Sequence, residues 1–315
     1  MTFPFILDQP VVKASETGSK RKLNAIEELI QQRDDKKKEK KKLPPLPDDE
    51  AIAKALCVSP EEAKRIAQLP QDIIVNGAAR KNPEWLNSRR PLGIARFTGS
   101  IFGALMGYSP YTKPEKAIEE LIESNFRGNF FTRWGQEHED IACDAFHDIM
   151  KEEMPDNEIK INHYGLIIDP VNPFLAYSPD GEVEIKAPDG TVTKYLLEIK
   201  CPGAKRKYPK QDEPLYGIND WPNGNSGPCP THYWFQIQLG CYIMNLTMCY
   251  FVIWTPQQCQ VHKIYYDKQF MELTCIPKAK DMYWKDFIPT LRSFRLNPPE
   301  PKKQKNYEED ELFRD

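Results

Sequence analysis

Apolar positions along this chain follow two different periods. Between residues 112 and 153 they return every three or four residues, the spacing of a helix with one buried face. TKPEKAIEELIES predicts one such helix, capped by Thr112 and Glu115. TRWGQEHEDIACDAFHDIMKEE predicts a second, with a stripe of Ile141, Cys143, Ala145, Phe146 and Ile149. Just upstream, FTGSIFGALMG reads as the start of a helix built from small residues. Then the period shortens. IKINHYGLIID, PFLAYSPDGEVEI and TVTKYLLEIKCP read as three strands, the last two joined by a turn at Pro188-Asp189-Gly190. THYWFQIQLGCYIMNLT restores the helical pattern, MCYFVIWTP and CQVHKIYYD follow as strands, and residues 268–294 close as a helix. Helices on either side of a run of strands predict an α/β fold, a mixed central sheet flanked by helices.

The ends are composed differently. Residues 1–47 read as a flexible basic arm: residues 20–42 carry ten Lys or Arg against five Asp or Glu, and the block runs into the proline-rich LPPLP. Such an arm serves either as a solubilising tail or as an electrostatic contact for an anionic partner. Residues 48–81 read as a helical N-terminal appendage of two short helices. Ser59-Pro60-Glu61-Glu62 is a capping box with proline at the first helical position, which predicts a helix to about Leu69. The main domain then spans 82–295, and residues 296–315 form an acidic tail expected to be disordered.

Composition excludes several classes. No run of about 18 apolar residues exists, so no membrane-spanning helix is expected. The N-terminus lacks the basic start, apolar stretch and cleavage site of a secretory signal. Eight cysteines are spread with no Cys-x-x-Cys pair, which argues against a zinc or iron–sulfur site. An intracellular protein in a reducing compartment, not secreted, is expected. The net charge of −3 identifies no partner.

The candidate chemistry lies where charge interrupts the strands. If the 188–190 turn is centred on Asp189, Asp180 falls opposite Glu198, with Cβ atoms about 5 Å apart. Glu198 and Lys200 are two apart on one strand and share a face. Two facing carboxylates suit a hard cation such as Mg²⁺, with the carbonyl of Ile199 as a further oxygen donor. A neighbouring lysine can polarise or deprotonate a metal-bound water, and the whole suits phosphodiester hydrolysis. A solvated salt-bridge cluster on an edge hairpin would place the same residue types together. The neighbours Tyr195, Leu196, Leu197 and Ile199 are too apolar for that.

Ser-Pro-Asp-Gly followed 18 residues later by Glu-Ile-Lys-Cys-Pro resembles the lambda-exonuclease and YqaJ-type viral recombinase family, which includes viral alkaline nucleases. That family lies within the restriction-endonuclease-like superfamily of Asp…Glu-x-Lys nucleases. RWGQEHEDIACDAF resembles the family's helix with a Trp-Gly and a metal-site glutamate, which by position is Glu139, with Glu137 a competing carboxylate. WFQIQLGCY resembles a late helix with a Gln-x-Gln pair, in which Gln236 is the site residue and Gln238 its neighbour. EWLNSRRPLGIARFTGS resembles the 5′-phosphate grip, with Trp85-x-x-x-Arg89 and Ser100. Four extra residues separate Arg89 from Ser100, so Arg90 and Arg96 are alternative phosphate ligands. Asp169 loosely resembles an accessory acid. Lys205, Arg206 and Lys207, with Lys210, form a basic cluster directly after the active strand, placed to hold phosphates. Tyr208, Tyr216 and Trp221 beside it suit either base stacking or packing.

The resemblance implies a restriction-endonuclease-like fold over residues 82–267 and a Mg²⁺-dependent deoxyribonuclease, with Mn²⁺ able to substitute. Asp180, Glu198, Ile199 and Glu139 would hold the metal, Lys200 would act on the water and Gln236 would orient it. The implied reaction is 5′-to-3′ degradation of double-stranded DNA ends, releasing 5′-phosphorylated nucleotides for recombination or genome processing beside a single-strand annealing protein. Two alternatives stay open: a structure-specific endonuclease, also acting on RNA, and a non-catalytic nucleic-acid-binding protein.

Overall fold

The computed structural model describes residues 44–75, 78–123, 130–203, 208 and 213–298. The basic arm therefore falls almost wholly outside the described residues, as do Lys205, Arg206, Lys207, Lys210 and the tail from 299 onward.

Five strands form the central sheet: β4 (Glu158–Asn162), β7 (Gly181–Lys186), β8 (Val192–Lys200), β11 (Met248–Thr255) and β12 (Gln258–Tyr265). Their spatial order is β12-β11-β8-β7-β4, antiparallel throughout except for the parallel β8–β11 pair at the centre. A parallel pair needs a long crossover. Here it is the chain from Cys201 to Thr247, which carries the small ladder of β9 (Asn219–Asp220) and β10 (Ser226–Gly227). It also carries the helix α7 (Thr231–Met244).

Both faces of this sheet are covered, which is why β11 reads as an unbroken apolar run and β8 is apolar on both faces of its buried stretch apart from Glu198. Leu197, Ile199, Tyr250 and Val252 pack with Ala142, Phe146 and Met150 of α6 (Phe130–Glu153). The alternate residues Leu196, Cys249, Phe251 and Ile253 enter the larger core with Trp234, Phe235 and Leu239 of α7. The buried stripe of α6 is thus 142-146-150, and Ile141, expected inside, is 51% exposed. The expected stripe shared only Phe146 with this row and left out Ala142 and Met150. The sheet accepts only the narrower i, i+4 row, and Ile141 lies outside it.

A second sheet stands beside the first, in the order β3 (Phe97–Thr98), β6 (Leu175–Tyr177), β5 (Ile167–Ile168). Two of the three expected strands are therefore each broken in two, one at His163–Leu166 and one at Ser178-Pro179-Asp180, so that the chain switches sheets at both places. The helix α4 (Gly99–Leu105) follows β3 directly. The next helix, α5, is Pro114–Glu123. The Thr112 cap is not made: its hydroxyl is buried with no hydrogen-bond partner among the described residues.

The N-terminal helices α1 (Asp49–Leu56) and α2 (Pro60–Ala67) lie where expected, and Ser59 Oγ accepts from the Glu62 amide at 3.2 Å. They are built into the domain rather than appended. Ile52 and Leu56 belong to the main core, and Ile66 packs with Trp85, Leu166 and Ile168. An unforeseen hairpin, β1 (Asp72–Val75) with β2 (Ala78–Lys81), leads into α3 (Pro83–Arg89). A last helical run, α8 (residues 268–296), contains π-helical turns at Met271–Cys275 and Tyr283–Phe287.

Tyr216 and Trp221 serve packing. Trp221 stacks on Trp234 at 5.7 Å and donates from Nε1 to the Cys229 carbonyl at 2.9 Å, while Tyr216 stacks on Phe251 at 6.5 Å. Tyr208 donates to the Pro202 carbonyl. All eight cysteines are free thiols. Among the described residues no helix is long and apolar enough to cross a membrane.

Candidate active site

The β7–β8 hairpin has the expected register, from Gly181 facing Leu197 to Lys186 facing Val192. Gly190, at φ +87°, closes the turn by donating to the Ala187 carbonyl at 2.9 Å. Asp180 sits one step before the ladder begins, and its Oδ2 accepts from the Ile199 amide at 2.6 Å. Glu198 shares the parity of Leu196, so it points into the larger core and is fully buried. Each of its oxygens is engaged. Oε1 accepts from Lys200 Nζ and Gln236 Nε2, and Oε2 accepts from the Tyr177 hydroxyl. Lys200 keeps 20% of its side chain exposed and stands 5.1 Å over the Tyr233 ring.

The electrostatics follow from burial. The Asp180 carboxyl is pushed well above its ordinary range by burial and then by Glu198, with Lys200 pulling the other way. Glu139 is raised chiefly by burial; Lys200 offsets this and Glu198 adds to it. Burial alone would lower Lys200, but Glu198 and Asp180 beside it hold the ammonium above its usual value. Tyr177 is raised by burial and by Glu198, so its phenol stays protonated and donates.

Three carboxylates, Asp180, Glu198 and Glu139, thus influence one another around a single lysine. A donor set short of positive charge is what a divalent cation complements. Among the described residues no three His, Cys, Asp or Glu side chains form a metal cage by themselves. A divalent cation placed here would have Asp180, Glu198 and the Ile199 carbonyl as its protein donors, with water completing the shell, as Mg²⁺ is commonly held.

This fit has a measurable consequence. Asp180 and Glu139 have folded-state pKa values above their unfolded ones, so in that window the native state binds more protons and stability falls as pH rises from the ordinary carboxylate range upward. A bound cation would relieve the penalty. Mg²⁺ is expected to raise the melting temperature by several degrees at pH 8 and by less at pH 5. Asp180→Asn is expected to remove most of that increment. Calorimetric scans at the two pH values check both.

The remaining expected residues divide. Gln236 is in the site, whereas Gln238 is spent on structure, donating to the Tyr265 carbonyl at 2.9 Å and accepting from the Asp267 amide at 2.7 Å. Glu139 lies within electrostatic reach, and Glu137 is exposed. Asp169 is occupied by the Val171 amide and Asn172 and holds a turn. Arg89 donates to the Thr98 hydroxyl at 2.9 Å and lies 5.2 Å from the Trp85 ring centre. Arg90 donates to the Leu121 carbonyl, and Arg96 is buried against the carbonyls of Ser88, Leu56 and Pro173. Burial lowers Arg89 to about 10, with Arg90 adding to the shift, and no carboxylate pairs with Arg89 among the described residues. Ser100 is exposed in the first turn of α4.

Sequence reasoning missed Tyr177 and Tyr233. Tyr177 is three residues before Asp180 in a fully buried strand. A tyrosine there, with its hydroxyl needing a partner, was the available signal. Tyr233 sits three residues, about one turn, before Gln236 on α7 and carried no signal of its own.

A mixed sheet that brings Asp180, Glu198 and Lys200 together is the arrangement expected of restriction-endonuclease-like nucleases. Residues 84–247, more than half of the 315-residue chain, match the YqaJ-like viral recombinase domain, and the chain belongs to that family. The uncharacterized protein R354 of Acanthamoeba polyphaga mimivirus is 27% identical over 190 residues, covering 58% of this chain and 29% of that protein. The match therefore spans under a third of that relative's length. Among solved structures, the alkaline exonuclease LHK-Exo of Laribacter hongkongensis is 19% identical over 68% of this chain and 95% of its own, with a TM-score of 0.45. A phage-related exonuclease from Haemophilus somnus 129PT is 13% identical over 64% of this chain and 93% of its own, with a TM-score of 0.36.

Proposed function

We propose that the protein is a Mg²⁺-dependent deoxyribonuclease that degrades double-stranded DNA from its ends in the 5′-to-3′ direction, releasing 5′-phosphorylated nucleotides. Mn²⁺ would substitute for Mg²⁺, and a single-strand annealing protein is the partner that such an activity serves in recombination or genome processing. The observation that carries the reading is the convergence of Asp180, Glu198 and Lys200 with Gln236 in one pocket of the sheet. A module that only binds nucleic acid gains nothing from buried carboxylates beside phosphate.

The residues divide the work. Asp180, Glu198 and the Ile199 carbonyl would hold the cation, which when bound lowers the pKa of a water ligand and neutralises charge on the phosphate. Lys200, held as an ammonium by Glu198 and Asp180, acts as a donor: it orients the attacking water and stabilises the negative charge that grows on the phosphate. Gln236 and Tyr177 fix the Glu198 carboxylate. Glu139 adds negative charge at the rim and extends the set available to the metal.

Arg89 is the favoured 5′-phosphate ligand of the three arginines. Its one described hydrogen bond goes to a hydroxyl, and its charge has no carboxylate partner among the described residues. Phosphorylated ends are expected to be degraded about tenfold faster than hydroxyl ends, and Arg89→Ala should erase that difference, because a guanidinium makes paired charge-assisted bonds to phosphate. Digestion of linear duplex with each end type, with and without Mg²⁺, checks this. Equal rates on both end types, or nicking of closed circles, would favour the endonuclease reading instead.

A further inference from the structure

We propose that Tyr177 is a positioning residue whose hydroxyl sets the orientation in which Glu198 meets a divalent cation. The inference rests on the nuclease reading above. Tyr177 ends β6 and is 1% exposed, and its hydroxyl donates to Glu198 Oε2. Three residues later Asp180 accepts from the backbone amide of Ile199. The segment from Tyr177 to Asp180 is therefore tied to β8 at two consecutive positions, through a side chain at 198 and through the backbone at 199. The same short segment that supplies one acid of the pair fixes the other.

The ring itself is held in a slot. A Cβ added at Gly99 would lie 2.4 Å from Tyr177 Cε2, and one added at Gly240 would lie 2.6 Å from Tyr177 Cζ. Neither glycine has a positive φ, so backbone conformation does not explain either. Space for the tyrosine ring does. Gly99 opens α4 and Gly240 lies within α7, so two helices close on the ring from different directions and leave its hydroxyl one place to reach.

The consequence lies in the lone pairs of Glu198. A carboxylate offers about four acceptor directions. Lys200, Gln236 and Tyr177 occupy three, which leaves the carboxylate one orientation and a narrow direction for a metal bond. Partners of metal-binding groups typically govern affinity or turnover by about 10–100-fold. The plainer alternative is that Tyr177 is a core ring whose hydroxyl takes the nearest acceptor. On that view Tyr177→Phe changes melting temperature and nothing else.

The test compares wild-type, Tyr177→Phe and Glu198→Ala full-length protein. Mn²⁺ binding is measured by electron paramagnetic resonance without DNA, and kcat and KM on linear duplex are measured across a Mg²⁺ titration. Tyr177→Phe is expected to weaken Mn²⁺ binding or lower kcat about 10–100-fold with KM for DNA unchanged. Gly240→Ala, which displaces the ring without touching the hydroxyl chemistry, should shift the same parameters in the same direction. A Tyr177→Phe protein that binds Mn²⁺ and turns over like wild type overturns the proposal while leaving the nuclease reading intact. A wild type that neither binds Mn²⁺ nor cleaves overturns both.

Discussion

A folded Glu198→Ala protein is expected to lose metal-dependent cleavage by about three orders of magnitude or more while binding duplex DNA nearly as well as wild type. Glu198 is fully buried and meets Lys200, Gln236 and Tyr177 at once, so its loss removes a cation ligand and frees three donors aimed at the site. It removes no group placed on a phosphate. Lys200→Ala is expected to act comparably for a different reason. Without the ammonium, Asp180, Glu198 and Glu139 lose the chief positive charge that offsets their repulsion, and the growing charge on the phosphate loses its donor. The control comes from the same hairpin. Lys194 pairs with Glu182 at 2.8 Å and Glu184 at 3.1 Å, so it matches Lys200 in charge and partners but is 43% exposed and stands away from Asp180. Lys194→Ala should leave turnover within about a factor of two, since Glu182 keeps the Asn162 amide and the Tyr164 hydroxyl as donors and neither glutamate belongs to the site. Nuclease assays on linear plasmid, with binding measured in parallel on the same preparations, check all three variants. Near-normal turnover of folded Lys200→Ala would remove the lysine from the mechanism.

The site was legible in sequence to the extent that period-2 geometry dictates it. Once the turn is placed at Asp189, strand pairing has no freedom left, and Asp180 must approach Glu198. Gly181 facing Leu197 shows that this happens. The same logic fails where the chain leaves a strand without leaving the pattern. PFLAYSPDGEVEI alternates well enough to read as one strand, but Pro179 donates no ladder hydrogen bond, and the chain turns from β6 in one sheet to β7 in another. That break is what brings Tyr177 behind Glu198. Periodicity along one segment carries no trace of it. The N-terminal helices show a second limit. Their caps and lengths are local and were readable, whereas the burial of Ile52 and Leu56 in the main core depends on partners from Ile94 onward. The glutamines show a third. Gln236 and Gln238 are chemically identical and two apart, and only the direction of α7 sends one to Glu198 and the other to the Tyr265 carbonyl.

Arg96→Ala is expected to cost about 3–5 kcal/mol of stability, lowering the melting temperature by about 10 °C, while the preference for 5′-phosphorylated ends survives in the folded fraction. Arg96 is 2% exposed and its guanidinium meets only carbonyls: Nε donates to Ser88 at 2.9 Å, and Nη1 donates to Leu56 at 2.9 Å and to Pro173. Leu56 is the last residue of α1, and Ser88 lies in the last turn of α3, so one cation satisfies the free carbonyls at two helix C-termini. Pro173, just ahead of β6, adds the strand that leads to Tyr177 and Asp180. The alanine variant leaves three acceptors without a donor and opens a cavity among α1, α3 and β6. Burial lowers Arg96 to about 10, well below the ordinary guanidinium value, so the folded state holds this charge at a cost. Because the folded pKa lies below the unfolded one, the cost is full at neutral pH and shrinks only as pH rises through about 10. The group is retained for its fan of hydrogen bonds. Arg96→Lys keeps the charge without that fan and should recover less than half of the lost stability. Thermal melts of the three proteins, with digestion of phosphorylated and hydroxyl ends at 25 °C, separate the two roles. Loss of the end preference with an unchanged melting temperature would make Arg96, and not Arg89, the phosphate ligand.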